Sequence, residues 1–419
     1  MAEESILTDD FLRELMNVGE VDILVGVPTF NDARTVGQVV QAIRAGLLKY
    51  FPRQRAVIIN ADGGSKDETQ ELVRAASISD LQHGSNLPAL RTLHCISTRY
   101  SGPPQGGNAL HTIFAAGDLL RASACAVVAA DSTSIEPEWL DRLLRPVTRD
   151  NFDLITPLYR RHKFDGLLVR NLVYPMSRAI YARQIREPYA SEFAFSGRLN
   201  THFLSAESPQ YGESGNEFNL LVAAISGGFR IAQAFLGDKT RLDQPPSDLV
   251  QAMRQTVAPL FGSLERNFPY WSNDGQPQPI PAIGPVPELN LEPLRINRKR
   301  LFQMFTHGVS ELRPVFEVIL SPTTYAELQR AAAKSEDQFS FKDELWVRTV
   351  YEFAASHHKE VINRDHIIQA LAPLYRGRAY TFLVENRDAS SEQVEENVEG
   401  LCRTFERLKP YLLDMWERK

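Results

Sequence analysis

Four short apolar runs, each leading into a helix-forming or polar stretch, constrain this chain more than any other feature. They are VDILVGVPTF (21–30), RAVIINA (55–61), LRTLHCIS (90–97) and ACAVVAAD (124–131). The runs are nearly continuous in apolar and β-branched residues, which predicts strands covered on both faces. After the first, Val36, Val39, Val40, Ile43 and Leu47 recur at helical spacing. A helix starting near Ser65 follows the second run, and GGNALHTIFAAGDLLRA follows the third. This alternation predicts an α/β domain: a mostly parallel, Rossmann-like sheet flanked by helices, with ligands gathering at the carboxyl ends of its strands.

The middle of the chain is less regular. FDLITPLYRRHKFDG (152–166) reads as a strand plus a polar loop, and VRNLVYPMSRAIYARQI (169–185) as a helix interrupted near Pro175. GESGNEFNLLVAAISGG (212–228) is a helix with acids at its start, and FRIAQAFLG (229–237) one more strand. Six prolines between 269 and 287 exclude a helix or a central strand there and predict an extended connector. From 296 the pattern is helical, in four stretches beginning near 300, 323, 342 and 391. In the last, Val394, Val398, Leu401, Phe405 and Leu408 form one stripe, suited to packing on the first domain or on a second copy in a homodimer. PLYRGR (373–378) is expected to end a helix with clustered arginines, at the mouth of an active site, at a partner subunit or simply in solvent. The expected organisation is an N-terminal segment 1–20, a sheet domain 21–265, a proline-rich connector 266–295 and an all-α C-terminal domain 296–419.

Charge and composition exclude several classes. A net charge of −6 over 419 residues argues against a nucleic-acid partner, which needs a basic surface. MAEESILTDD has no apolar leader, and no run reaches the roughly 18 apolar residues of a membrane span. The expectation is a cytoplasmic protein with no transmembrane segment. Cys95, Cys125 and Cys402 lack metal-type spacing and read as buried free thiols. His357, His358 and His366 read as solvated helix residues rather than metal ligands. There is no GxSxG elbow and no GxxxxGK[ST] loop.

Four loops fall at the same predicted sheet edge. In the first, Pro28 ends strand one and Thr29, Asn31 and Asp32 follow. In the second, Asp62 ends strand two, with Gly63, Gly64 and Ser65 after it. Asp32 and Ser65 are either helix caps or ligand contacts. The third, YSGPPQGGNAL (100–110), puts Gly106 and Gly107 before a helix, where backbone N–H groups can hold a phosphate or merely form a turn. The fourth carries Asp131, a helix cap, a metal ligand or a hydroxyl acceptor.

The order strand-PTFND, strand-ADGGSKDET, Gly-rich loop and strand-AAD resembles the nucleotide-sugar half of GT-A glycosyltransferases. Downstream, LYRRHKFDG (158–166), REPYASEFAFSGRL (186–199) and YGESGNEFNLLVA (211–223) resemble loops of the retaining synthases of glucosyl-3-phosphoglycerate, glucosylglycerate and mannosylglycerate. The likeness spans roughly 21–250. It implies a hexosyltransferase moving glucose from a nucleoside diphosphate sugar to a small anionic acceptor, in compatible-solute or polysaccharide-precursor synthesis. It also implies Pro28, Asn31, Asp32, Asp62, Gly106 and Gly107 at the nucleotide sugar and Asp131 at a divalent cation, Mg²⁺ or Mn²⁺. Glu192 and Glu217 become catalytic-site acids, and Arg160, Arg161 and Ser191 an acceptor site. Glu217 fits a hydroxyl-binding acid as well as a first-turn glutamate matching the helix dipole.

The chain departs from that group in three places. Asp131-Ser132-Thr133 stands where the group has Asp-x-Asp, LGDKTRLDQ (236–244) has no histidine, and Ala190-Ser191 replaces Gly-Gly. Asp238 can supply a second oxygen ligand to Mg²⁺, or Lys239 or Arg241 can neutralise a diphosphate directly. Two other readings share the scaffold: a transferase with a polysaccharide or lipid-linked acceptor, and a non-catalytic sugar-nucleotide-binding protein.

Overall fold

In the computed structural model, residues 7–78, 93–100, 107–205, 216–238, 249–273, 275–285 and 296–417 are described. The chain divides into two compact units, and they interleave along the sequence. One comprises Met1–Arg160, Tyr189–Pro245 and Ile280–Leu289; the other comprises Arg161–Pro188, Pro246–Pro279 and Asn290–Lys419. Residues 296–419 fall in one unit together with 161–188 and 246–279. Within the proline-rich stretch 266–295 the chain passes back to the sheet unit and out again. Among the described residues no helix is long and apolar enough to cross a membrane.

The strands in chain order are β1 (Ile23–Thr29), β2 (Ala56–Asp62), β3 (Leu93–Arg99), β4 (Ala124–Val127), β5 (Leu154–Arg160), β6 (Arg183–Gln184), β7 (Phe193–Ser196), β8 (Ile231–Asp238), β9 (Gln278–Pro279) and β10 (Ala282–Ile283). The first unit holds an eight-stranded sheet in the order β10-β8-β5-β7-β4-β1-β2-β3. All neighbours run parallel except β7, which is antiparallel to both β4 and β5. Ile23, Leu24, Val25 and Val27 have no exposed surface, as the unbroken apolar runs require. Helices Val36–Tyr50 and Glu138–Arg149 cover one face, in a core with Ile23, Val25, Val27, Trp139 and Leu143. Helix Asn108–Leu119 covers the other so closely that a Cβ on Gly26 would lie 2.5 Å from Ile113.

Two strand ends differ from the sequence reading. The fourth run is a strand only to Val127, although Val128 N still donates to Gly26 O at 3.0 Å. Asp131 therefore sits in a turn beyond the strand. Pro28 lies inside β1, paired with Ala61, and the strand runs on to Thr29. It is tolerated because β4 has already ended on that side, so its missing N–H costs no ladder bond.

The second unit is helical, with one small two-stranded ladder, β6-β9. The interrupted helix at 169–185 is a π-helix, Val169–Val173, running into an α-helix, Tyr174–Tyr181, with Pro175 in its first turn. The Asn171 carbonyl in the π segment accepts the Trp346 indole N–H at 2.7 Å. PLYRGR does not end a helix: helix Arg364–Glu385 runs through it with Pro373 inside. Arg378 is buried there, donating to Asn171 Oδ1 and to the Phe341 carbonyl and pairing with Asp343. It is thereby withdrawn from the solvent, ligand and partner roles the sequence suggested. The C-terminal stripe buries inside its own unit, where Val394, Val398 and Cys402 cluster with Tyr174 and Phe382. Of the three thiols expected to be buried, Cys125 and Cys402 are, and Cys95 is only partly so.

Four arginines of 161–188 are paired along this unit. Arg161 meets Glu187 at 2.9 Å and Asp165 at 3.2 Å, and Arg170 meets Glu395 at 2.6 Å. Arg178 meets Glu399 and Glu406, and Arg186 meets Glu395. Lys163 Nζ donates to the carbonyls of Asn386, Arg387 and Ala389 at 2.8–3.2 Å, closing the end of helix Arg364–Glu385.

His357 is not solvated but buried against Phe261, and burial, with Arg364 adding repulsion, lowers its pKa from 6.5 to about 4. The unfolded chain takes up a proton below pH 6.5 while the folded chain does not, so stability falls as pH drops from 6.5 to 4. The loss from this group is on the order of 2 kcal/mol. Denaturation midpoints of His357→Gln should therefore vary less between pH 7.5 and pH 4.5 than those of the unmodified protein.

Candidate functional site

The carboxyl edge of the sheet is built around Asp62. β1 and β2 pair in register, setting Thr29 beside Asp62. The Asp62 carboxylate has no exposed surface; one oxygen accepts the hydroxyls of Thr29 and Ser65. The other accepts Gly64 N and Ser65 N at 3.0 Å and Gln70 Nε2 at 2.8 Å. Thr29 Oγ1 also accepts Asn60 Nδ2, and Asn60 Oδ1 accepts Ser97 Oγ at 2.7 Å, so the chain of bonds reaches β3. Asp62 thus shapes its loop, and its two oxygens are occupied from within.

That loop holds the next one. Asn31 takes a left-handed backbone (φ 59°), which asparagine tolerates better than most residues. Its N–H donates to Ser65 Oγ and its Oδ1 accepts Lys66 N, both at 2.9 Å. Asp32 Oδ2 accepts Phe30 N, and Asp32 N donates to Thr69 Oγ1. Phe30 is left 40% exposed at the tip, beside a half-buried carboxyl. Burial, and then the charges of Asp131, Asp67 and Asp62, raise the Asp32 pKa from 3.8 to about 6. The first, second and fourth loops therefore share one negative field.

Gly107 caps helix Asn108–Leu119, with Gly106 and the rest of 101–106 outside the described residues. Asp131 is half-buried, and the turn it opens is pinned on several sides. Thr133 N donates to Asp131 O at 3.0 Å, Gln38 Nε2 to Thr133 O at 3.2 Å, and Ser134 Oγ to Asp238 O at 3.1 Å. Asp238 is the register partner of Arg160 at the ends of β8 and β5. The Asp131 turn and the end of β8 thus meet at Ser134, whose hydroxyl donates to the Asp238 carbonyl. Among the described residues no three His, Cys, Asp or Glu side chains cluster to hold a metal by themselves. Lys239 and Arg241 lie outside the described residues.

Glu192 departs from its expected role. It is fully buried, accepting Ser132 Oγ on one oxygen and Tyr159 OH on the other. Both of its oxygens are thus occupied from within the fold. Its bond to Tyr159 brings Arg160, which is exposed, and Ser191, which is half-buried, to one edge. Arg161 belongs to the other unit, where Glu187 and Asp165 hold it, so it is withdrawn from the expected acceptor set. Glu217 lies in the first turn of helix Asn216–Ser226, and burial raises its pKa from 4.5 to about 7. Tyr189 stacks on Phe218, ring centroids 4.6 Å apart, which fixes the start of that helix beside 189–192.

Sequence reasoning passed over Asn60, Gln70, Tyr159 and the inward role of Ser132. The available signal was polar residues ending otherwise apolar strands, such as Asn60 in AVIINAD. A cavity of about 760 Å³ opens elsewhere, at the amino ends of β1, β4 and β5, with Asp22, Arg53, Asn151, Asp153 and Arg198 among its lining. No candidate residue lines it, and Arg198 there is bound to Asp153.

No protein-family model matches the chain, and no curated protein matches it. Among solved structures it is similar to Mycobacterium tuberculosis glucosyl-3-phosphoglycerate synthase in complex with phosphoglyceric acid, at 22% identity and a TM-score of 0.44, covering 62% of this chain and 85% of that one. A second structure of that enzyme, with Mn²⁺, uridine diphosphate and glucosyl-3-phosphoglycerate, gives 22% and 0.44 over 62% and 86%. A third, described as a mycobacterial protein, gives 23% and 0.44 over 62% and 80%.

Two outcomes test the site. Asp131→Asn should lower the Asp32 midpoint in a carboxyl-carbon NMR titration, because one repelling charge is gone. Asp62→Ala removes the acceptor of all five donors and should cost roughly 2–4 kcal/mol in urea denaturation.

Proposed function

We propose that this chain is a retaining glycosyltransferase that moves a hexose, glucose, from a nucleoside diphosphate sugar to a small anionic acceptor of the glycerate or 3-phosphoglycerate kind. The observation that carries the reading is the convergence, at one sheet edge, of the Asn31–Asp32 loop, the Asp62 loop and the Asp131 turn in a shared acidic field. Their order along the chain is that of the nucleotide-sugar half of GT-A enzymes.

In this reading Pro28, Asn31 and Asp32 face the nucleoside, with Asp62 holding their shape from behind. Gly107 and the helix N-terminus it caps offer backbone N–H groups to the diphosphate. Asp131 and Asp238 would hold a divalent cation together with phosphate oxygens and water, since Mg²⁺ takes only one or two protein carboxylates in such sites. When bound, that cation neutralises charge on the departing diphosphate. Arg160 and Ser191 take the acceptor's anionic end, the guanidinium matching a carboxylate or phosphate in two-point fashion. Glu217 orients the attacking hydroxyl. With a pKa near 7 it loses its proton as pH rises through neutrality, so transfer should rise over the same range.

Incubation with UDP-, GDP- and ADP-glucose, each with glycerate or 3-phosphoglycerate and with or without Mg²⁺, tests the proposal. The expected product is a glucosylated acceptor with the donor's anomeric configuration by NMR. Asp131→Ala should slow its formation roughly 10²-fold or more, and Glu217→Gln should remove the inflection near pH 7. No product from any donor, with no change in melting temperature on adding donor, would falsify the enzyme reading. A donor-induced shift without turnover would instead favour a non-catalytic sugar-nucleotide binder, the reading supported by Thr133 in place of a second acid.

A further inference from the structure

We propose that Glu192 is a positioning residue that aims two ligand-facing segments at once: Asp131 and Thr133 through Ser132, and Arg160 through Tyr159. The ligand's identity rests on the sugar-nucleotide reading above; the linkage rests on geometry alone.

Glu192 stands at the start of β7, between β4 and β5 in the sheet. It and Ser132 have no exposed surface, whereas the residues on either side of Ser132 are half-buried. A middle residue drawn inward leaves its neighbours turned toward the open edge. Closure of the turn by Thr133 N on Asp131 O and Ile135 N on Ser132 O keeps that alternation. Bonds from Gln38 and Ser134 fix the turn's outer side, so Ser132 is its inner anchor.

The second arm works in the same way. A bulge between Leu158 and Tyr159 passes over Leu236, and Tyr159 then pairs with Gly237, whose φ of 102° only glycine adopts freely. The extra residue, Leu236, belongs to β8, so β8 bends there while β5 keeps its own alternation. Tyr159 reaches Glu192 and packs near Trp139, with ring centroids 6.2 Å apart, and Arg160 follows it into solvent.

Stability alone gives no reason for a carboxylate here. A buried acid is expensive, and an apolar residue of the same shape serves a core as well or better. What the carboxylate supplies is two acceptor oxygens in one rigid plane, each gripping a hydroxyl from a different segment. Asp131, the single acid of its triplet, and Arg160, the exposed cation, then keep a fixed relation although they lie on separate elements.

The test uses the full chain carrying Glu192→Ala, Glu192→Gln, Ser132→Ala or Tyr159→Phe. In ligand-free protein, hydrogen exchange should show residues 131–135 and 157–160 losing protection together in Glu192→Ala, while 57–61 is unchanged. Ser132→Ala should loosen only the first segment and Tyr159→Phe only the second. These two carry the test if Glu192→Ala does not fold. Calorimetric titration with UDP-glucose and Mn²⁺ should weaken roughly 10- to 100-fold in Glu192→Ala. It should recover most of that in Glu192→Gln, whose amide still makes two hydrogen bonds. Unchanged exchange in either segment overturns the proposal. So does equal weakening in Glu192→Ala and Glu192→Gln with exchange intact, because the carboxylate would then touch the ligand itself. If UDP-glucose does not bind the unmodified chain, the sugar-nucleotide reading falls, and the exchange result still decides the linkage.

Discussion

Five donors converge on the buried carboxylate of Asp62, two hydroxyls, two backbone amides and a glutamine amide, and the neighbouring loops take their shape from that convergence. In a parallel sheet the strand ends are where the ladder stops and backbone groups lose their partners. Here one acid satisfies several of them and fixes Thr29 and Ser65, and Ser65 then orients Asn31. The cost of holding a charge away from water is offset by donors aimed at it from all sides. The far partner, Arg99, stands 3.9 Å away and largely exposed, so the loop does not depend on an ion pair.

At the other end of the site a second buried acid, Glu192, works between strands that are distant in sequence. The two acids divide the edge. Asp62 orders the side where the nucleoside is proposed to lie, and Glu192 the side proposed for diphosphate and acceptor. Asp32 and Asp131, by contrast, are half-buried residues, and burial raises the pKa of Asp32 to about 6 and that of Glu217 to about 7. The two fully enclosed acids build loops by accepting hydrogen bonds from within the fold.

Much of this was legible in the sequence because sheet burial writes itself as apolar runs. β1 and β2 lie where VDILVGV and AVIINA place them, and the first, second and fourth loops follow strands that run parallel in one sheet. What escaped were facts of pairing. Glu192, Ser132 and Tyr159 are separated by as many as 60 residues, and no local pattern joins them. Arg161 and Arg160 look equivalent in LYRRHKF, but adjacent residues at a strand end face different surroundings, and one is claimed by Glu187. Helix Arg364–Glu385 was misread for the opposite reason. It is buried around most of its circumference, so no polar stripe marks it, and the arginines of PLYRGR read as its end although the helix runs on to Glu385.

The interleaving of the two units sets an order of events during synthesis. Arg186 leaves the ribosome 209 residues ahead of Glu395, its partner, with Arg170 and Arg178 in the same position. At translation rates of about 5–20 residues per second, those guanidiniums wait roughly 10–40 s for their counter-charges. β7 and β8 are made within that interval, beyond a segment whose charge partners are not yet synthesised. No single cut in the chain separates the units, so neither can be made as one uninterrupted fragment.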